Sequence, residues 1–421
     1  MRNSLRHIQF FLVLLLVSTC GIAQNISSPY SIIGIGDLEN SYFNRTSGMA
    51  NTGLSLRSNY ILHQANPASY SALDNQIFTF ETALQGKTVN YSGHGVDPNN
   101  NSNSDFTIKK VAAGIKLAKQ WGAAVGFMPF SSVSYAFSTP KNITGSSAFD
   151  GNGGINQVFF ANAYRISKNF SVGINSSYLF GGINQTENIL DPNAQATIAS
   201  NRNVYYRKFN FSYGLQYFAK VNKHLNYNLG VTYSPENTLK GEKSLVVTDN
   251  SQGFPQVIRN EIINDVRFTL PATFGVGMSV THNNVLTFAT DYKYQAWSDV
   301  NHKEPDPVYT NSHRFSAGID YSKLKNTQAN GQSYTYEKYN LQAGAFYHET
   351  NLKINGRQID EYGITLGGGM PVTAGRINLN LALELGSRGS TGNNLVRETY
   401  GQLTLNISFR DYWYTKGKRY D

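Results

Sequence analysis

Residues 271 to 297 read Pro-Ala-Thr-Phe-Gly-Val-Gly-Met-Ser-Val-Thr-His-Asn-Asn-Val-Leu-Thr-Phe-Ala-Thr-Asp-Tyr-Lys-Tyr-Gln-Ala-Trp, two alternating runs joined by a short polar turn. Side chains of a strand point to opposite faces in turn. Phe268, Leu270, Ala272, Phe274, Val276, Met278 and Val280 therefore share one face, and Thr269, Thr273, Gly275, Gly277 and Ser279 the other. On the second arm Leu286, Phe288, Tyr292 and Tyr294 alternate with Asp291, Lys293 and Gln295. One apolar face against one polar and charged face is the pattern of a strand between lipid and a wet lumen, so the stretch reads as a hairpin of a transmembrane β-barrel.

The chain begins with Arg2 and Arg6, an apolar run from Ile8 to Val17, and Gly21-Ile22-Ala23 before Gln24. These are the three regions of a secretory leader, assigned to residues 1–23. Val17-Ser18-Thr19-Cys20 also loosely suits a lipidation signal, but Thr19 fits it poorly, and the expected mature start is near Gln24 without lipid. Cleavage there removes the single cysteine and with it disulfides and thiolate metal sites. Only 15% of residues are charged while 13% are aromatic, and mean hydropathy is −0.36, too polar for a helical membrane protein. A barrel shows lipid only every second residue and collects aromatics at its interfaces, which accounts for all three values. The net charge of +9 is dispersed and forms no nucleic-acid module, so an anionic lipid surface is the expected partner and nucleic acid is not.

Alternation bounded by Gly, Asn, Asp and Pro clusters gives about fourteen strands, starting near residues 76, 106, 122, 155, 170, 204, 225, 262, 285, 312, 337, 360, 376 and 399, with sixteen as the alternative even number. Connections at Lys119-Gln120, Ser167-Lys168-Asn169, Asn222-Lys223-His224 and His282-Asn283-Asn284 are short. Those around 92 to 105, 139 to 153, 183 to 202, 235 to 260, 298 to 311, 350 to 359 and 387 to 398 are long and polar. Short periplasmic turns alternating with long outer loops define an up-and-down barrel. Residues 323 to 335 break the rule, marking an elaborated turn or a miscounted strand. The last strand alternates Leu403, Leu405, Ile407 and Phe409 with polar residues and ends in Tyr412-Trp413-Tyr414.

The expected organisation is all-β, with an N-terminal plug at 24–75 and the barrel at 76–421. Residues 25 to 75 lack strand alternation, yet Ile32, Ile33, Ile35, Met49, Leu54, Leu56, Ile61 and Leu62 need cover, and glycines such as Gly34 and Gly36 permit tight packing inside a cylinder. Gly48-Met49-Ala50-Asn51-Thr52-Gly53, then Asn66-Pro67-Ala68-Ser69, resembles the N-terminal hatch of the long-chain fatty-acid transporter (FadL) family of outer-membrane barrels. The hairpin ending in Trp297-Ser298 is similar to one in the same family, while Ser28-Pro29-Tyr30-Ser31 and Gly34-Ile35-Gly36-Asp37-Leu38 suggest a divergent branch. The resemblance implies a fourteen-stranded barrel with a hatch. It also implies uptake of hydrophobic molecules through an outer groove and an inner pocket, with sideways exit at an inward kink of the third strand.

On that expectation Val125, Phe127, Met128, Pro129 and Phe130, a third-strand stretch apolar on both faces, mark the ligand site or lateral gap, with Phe127 facing inward. Pro129 cannot donate to a ladder and equally suits a strand end at the interface. Ion pairs between Arg45 or Arg57 of the plug and lumen-facing Asp291, Asp320 or Glu384, with Arg314 nearby, are expected because unpaired buried charge is costly. There is no Gly-x-Ser-x-Gly elbow and the histidines are scattered, so no enzyme, cofactor or metal is expected. The alternation of Asp97, Asn99, Asn101, Asn103 and Asp105 lacks the glycine and glutamate of a calcium loop. Two functions fit: a channel for fatty acids or similar hydrophobic molecules, or a non-transporting accessory subunit of a larger outer-membrane secretion or barrel-assembly complex, in contact with other outer-membrane proteins. A continuous apolar tunnel distinguishes the first from the second.

Overall fold

The alternating runs form fourteen antiparallel strands that close on themselves. They are β1 (Ile77–Gly93), β2 (Ser102–Ala118), β3 (Trp121–Ser138), β4 (Ser146–Arg165), β5 (Phe170–Asp191), β6 (Ala196–Lys220), β7 (Leu225–Ser234, continuing as Asn237–Asp249), β8 (Gln256–Leu270, continuing as Thr273–His282), β9 (Leu286–Gln295), β10 (Ser312–Ala329), β11 (Gln332–Ile354), β12 (Arg357–Val372), β13 (Ile377–Arg388) and β14 (Val396–Tyr412). Closure is made by β14 on β1, in register from Tyr412 opposite Ile77 to Val396 opposite Gly93. This computed structural model describes residues 28–412 except 76, 100, 139–145, 192–195, 252–253, 301–307, 330–331 and 373–375, so the leader, Cys20, Gln24, Trp413 and Tyr414 lie outside the described residues. No helix among the described residues is long and apolar enough to cross a membrane.

The outward face is apolar where lipid is expected: Ile108, Leu341, Ile364, Leu366 and Leu403 are all exposed. The second arm of the opening hairpin is oriented as its sequence implies, with Leu286 and Phe288 outward and Asp291 buried in the lumen. The first arm departs from the expectation. Phe274, Val276 and Met278 are exposed, but Phe268 and Leu270 point inward and are only 6% exposed each. The cause is a break at residues 271–272, where Pro271 removes a ladder donor and the parity of the strand reverses. Its neighbour β7 is interrupted beside it at 235–236, again at a proline.

Several outer connections read as loops are strand. β5 runs on to Asp191, β6 starts at Ala196, and Asn237–Asp249 pairs with β6 and with Gln256–Leu270. Above the bilayer both faces meet water, so the lipid-driven alternation that reveals a strand disappears while its hydrogen bonds continue. The irregular 323–335 connection is an extended hairpin: β10 and β11 stay paired from Leu324 opposite Glu337 to Ala329 opposite Gln332, past a register shift at Lys323. It is an elaborated turn, and the count of fourteen stands.

Candidate functional site

The N-terminal segment, residues 28–75, packs against strands from every side of the closed barrel, an arrangement open only to a chain lying within it. Its folding is local and short-ranged. Asn44 caps the 3-10 turn Arg45–Met49, and Asn66 caps Pro67–Ala72, with Pro67 placed where a helix start lacks an N–H partner anyway. Phe43, Leu62, Tyr70 and Leu73 then bury against Ala83, Ala112, Ala124, Met128 and Phe159 of the wall. A belt of lumen-facing glycines admits its backbone. A Cβ on Gly122 would sit 2.0 Å from the Tyr70 carbonyl oxygen, on Gly173 2.4 Å from the Ala68 nitrogen, on Gly230 1.9 Å from the Leu54 carbonyl oxygen, and on Gly344 2.5 Å from the Met49 carbonyl carbon. These glycines stand in register across strands, with Gly173 opposite Gly214, Gly230 opposite Gly277 and Gly318 opposite Gly344.

Polar anchors fix the segment on this belt. Arg45 donates from Nε and Nη2 to the two oxygens of Asp320, both at 2.8 Å, and from Nη1 to Glu337 at 2.9 Å. Asp291 makes no ion pair with an arginine of the segment; one of its oxygens accepts the backbone N–H groups of Gly53 and Leu54, at 2.6 and 2.9 Å. Asn66 Nδ2 donates to the carbonyls of Leu54 and Leu215, while its Oδ1 takes the Ala68 N–H. Gly48, beside Gly367, has its carbonyl bonded by Thr365 Oγ1, which in turn accepts from the Ala50 N–H. Two further expected pairings are corrected. Arg57 meets no carboxylate but lies over the Phe218 ring at 3.5 Å, and Glu384 accepts from Tyr400 of the barrel at 3.2 Å. Arg314 stacks over Phe346. Spacing in sequence carries no information on which lumen carboxylate a plug arginine will reach.

Burial, with Arg45 and Lys110 nearby, pushes the His63 imidazole down to about 3, so the folded chain holds it neutral. A base depressed on folding leaves stability intact above its unfolded value of ~6.5 and erodes it as pH falls from there toward 3, by about 1.4 kcal/mol per pH unit. Release of the segment measured by protease between neutral and acid pH is expected to steepen accordingly, and His63→Gln to flatten the profile; an identical profile in the variant would refute this.

The wall itself is split between β2 and β3. Their ladder runs from Ala118 opposite Trp121 to Val111 opposite Phe127 and stops. Beyond it, β3 pairs with the N-terminal segment: Asp37 and Leu38 oppose Ser132 and Ser131, Glu39 N–H donates to the Phe130 carbonyl at 3.0 Å, and Ser28 N–H to the Ser134 carbonyl at 2.6 Å. Lys109 of β2 reaches back to Glu39 at 2.9 Å. A bulge lies between Pro129 and Ser131. Facing it, Gly154 of β4 has φ 139° and sits so close that a Cβ would lie 2.4 Å from the Ser131 carbonyl oxygen. The bulge also reverses parity. Before it Val125 and Phe127 face lipid, 48% and 42% exposed, contrary to the inward placement expected of Phe127; Met128 is buried, and after the bulge Val133 and Tyr135 turn inward.

Met128 and Phe130, with Phe159, Leu270 and Trp297, line a cavity of ≈200 Å³ into which Lys293 brings one cation. An adjoining outer cavity of ≈270 Å³ shares Leu38, Glu39, Ser41, Gln295 and Trp297 with it and carries His348, Glu361, Arg388 and Tyr400. In its wall Ser312 Oγ, His348 and Glu361 form a hydrogen-bonded row, with separations of 3.1 and 3.2 Å. A serine–histidine–carboxylate row invites comparison with a catalytic triad. Ser312 is only 2% exposed and does not line the cavity, so the hydroxyl of the row is turned away from the space that His348 and Glu361 line. On the turn side a vestibule of ≈1520 Å³ is walled by Arg57, Tyr60, Lys168, Phe218, Lys220 and Arg410 among others. None of the sequence patterns pointed to the glycine belt or the vestibule, although the recurrence of glycine within most strands was a signal for the former.

A closed fourteen-stranded antiparallel wall, apolar outside, defines a multi-pass outer-membrane β-barrel. Within that class the chain belongs to the BamG family, whose profile spans residues 5–421. No curated protein matches the sequence. Among solved structures it is similar to a FadL homologue of Pseudomonas aeruginosa (TM-score 0.61, 14% identity, covering 90% of this chain and 100% of that one). It is likewise similar to the toluene transporter TodX of Pseudomonas putida (TM-score 0.60, 16% identity, 90% and 100%) and to the monoaromatic hydrocarbon channel CymD (TM-score 0.54, 15% identity, 88% and 97%). At these identities the likeness establishes a shared fold.

Proposed function

We propose that the barrel is an outer-membrane channel for hydrophobic small molecules, in which a ligand held beside Met128 and Phe130 leaves sideways through the β2–β3 split when residues 28–39 unzip from β3. The observation that carries this reading is the interrupted ladder, occupied by the N-terminal segment and adjoining a cavity in which Met128, Phe130, Phe159, Leu270 and Trp297 form an apolar patch among hydroxyl and amide side chains. The hydrocarbon channels that share the fold support it. A cavity of ≈200 Å³ is comparable with the ~150 Å³ that holds a benzene ring elsewhere, so a single ring or short chain fits it, and a long acyl chain needs the adjoining ≈270 Å³ as well. Each methylene buried contributes about 0.8 kcal/mol. No enzymatic step is part of this reading.

The test is a lock. Leu38→Cys with Ser131→Cys places two thiols at opposed positions of the bridge. Oxidation is expected to reduce uptake of a hydrophobic probe to the level of a deletion strain, and reduction to restore it. Uptake indifferent to the lock would end the lateral-exit proposal.

A second reading is favoured by one observation: the outer cavities and the periplasmic vestibule share no lining residue, the N-terminal segment turning different side chains to each. A barrel so divided can serve without throughput, as an accessory subunit of an outer-membrane secretion or barrel-assembly complex. Full cellular function of the locked protein, with other outer-membrane proteins co-purifying in fixed ratio, decides for this reading.

A further inference from the structure

We infer that the periplasmic vestibule receives an acidic peptide segment, rich in apolar side chains, from a periplasmic partner. Its walls combine two chemistries. Arg57, Lys168, Lys220 and Arg410 bring cations; Leu56, Tyr60, Phe218, Leu324 and Pro371 bring apolar and aromatic surface. The only carboxylates among the described lining residues are Asp320 and Glu337, and Arg45 already holds both, at 2.8 and 2.9 Å. Arg57, Lys168 and Lys220 carry no ion pair among the described residues. Arg57 is the most telling of them. Its guanidinium is stacked on Phe218 and its Nη1 is buried without an acceptor. A buried donor without a partner is unfavourable, and an incoming carboxylate removes that cost.

The vestibule lies inside the barrel wall, so a lipid headgroup reaching it would have to leave its acyl chains' place in the bilayer. Its volume of ≈1520 Å³ exceeds what a small anion needs and suits several residues of extended chain. Lys119, Lys223 and Lys325, on the turns around this mouth, are exposed and add a field that draws an acidic segment inward. The inference stands on the vestibule alone and holds whether or not the barrel transports anything.

The experiment uses the full mature chain in zwitterionic nanodiscs and a fluorescein-labelled peptide alternating Glu with Phe and Leu, read by anisotropy. Saturable binding is expected, weakening as salt rises. The triple variant Arg57→Gln, Lys168→Gln, Lys220→Gln is expected to bind about tenfold or more weakly, since three charge-assisted contacts are lost together. Retention of the heat-modifiable folded band confirms that the variant barrel is intact, and the wild-type peptide comparison stands without it. Equal binding of the peptide with Gln for Glu overturns the inference. So does displacement by inorganic phosphate at matched charge, which would make the site a general anion site, and so does loss of binding in nanodiscs containing anionic lipid, which would assign the cations to headgroups. The cysteine lock does not touch these residues, so failure here and failure of the transport reading are separate results.

Discussion

Replacing Arg45 with Met is expected to release the N-terminal segment from an otherwise intact barrel. Arg45 is 8% exposed and is the cation shared by Asp320 and Glu337, which are further tied together through Ser322. Removing one partner of a buried pair costs about 3–5 kcal/mol, and because Asp320 and Glu337 also line the vestibule the loss here falls toward the lower end. Here two carboxylates are left. Apart from the β2–β3 split, the strands are bound to neighbouring strands by long ladders, whereas the segment has mostly short 3-10 turns of its own, so the segment yields first. Proteinase treatment of the folded protein in membranes is expected to trim residues 28–75 in Arg45→Met and spare them in the wild type, with the heat-modifiable band retained in both. Adding Asp320→Asn and Glu337→Gln is expected to recover most of the protection, since a neutral set no longer demands the guanidinium. Unchanged resistance in Arg45→Met would sink the claim that this ion pair anchors the segment.

Gly230→Val is expected to act as strongly by a different route. The new Cβ would lie 1.9 Å from the Leu54 carbonyl oxygen and 2.5 Å from its carbon, a collision with backbone that no rotamer relieves. β7 cannot retreat, being bonded at this level to Gln216 of β6 and Gly277 of β8. Overpacking against a side chain costs typically 1–3 kcal/mol, and a backbone clash held on both sides falls at or beyond the upper end. Valine is itself a good strand residue, so the wall is expected to assemble and the segment to be expelled. Gly86→Val is the control: a Cβ there meets nothing nearer than a Phe106 ring carbon at 3.6 Å, and full protection of the segment is expected. If both variants behave alike, the glycine belt is not what seats the segment.

The candidate site was partly legible. Asn66-Pro67 and Gly48 to Gly53 were marked as segment motifs, and they are where the chain is clamped: Asn66 between Leu54 and Leu215, Gly53 on Asp291, Gly48 against Gly367. Arg45 was marked for a lumen carboxylate and has two. The third-strand proline lies at a bulge beside an interrupted ladder. The orientation of Phe127 was misjudged, since a stretch apolar on both faces offers no alternation to assign it, and Arg57 was given a carboxylate although its neighbours are aromatic and cationic.

What the sequence by itself determined is whatever rests on local periodicity. The two-residue alternation, the short turns at Lys119, Lys168, Lys223 and His282, and the unalternating, apolar-bearing start are enough for a fourteen-stranded membrane barrel with a separate N-terminal segment, because lipid on one face and a wet lumen on the other impress themselves on every spanning strand. The tertiary structure alone decided the rest. Parity across Pro129 and Pro271 depends on how a bulge and a break resolve against neighbouring strands, and strand length above the bilayer depends on pairing between faces that both meet water. The partners of Arg45 lie 275 and 292 residues along the chain, and no local pattern records them; only closure of β14 onto β1 makes a lumen, and only within that lumen do Arg45, Asp320 and Glu337 become neighbours.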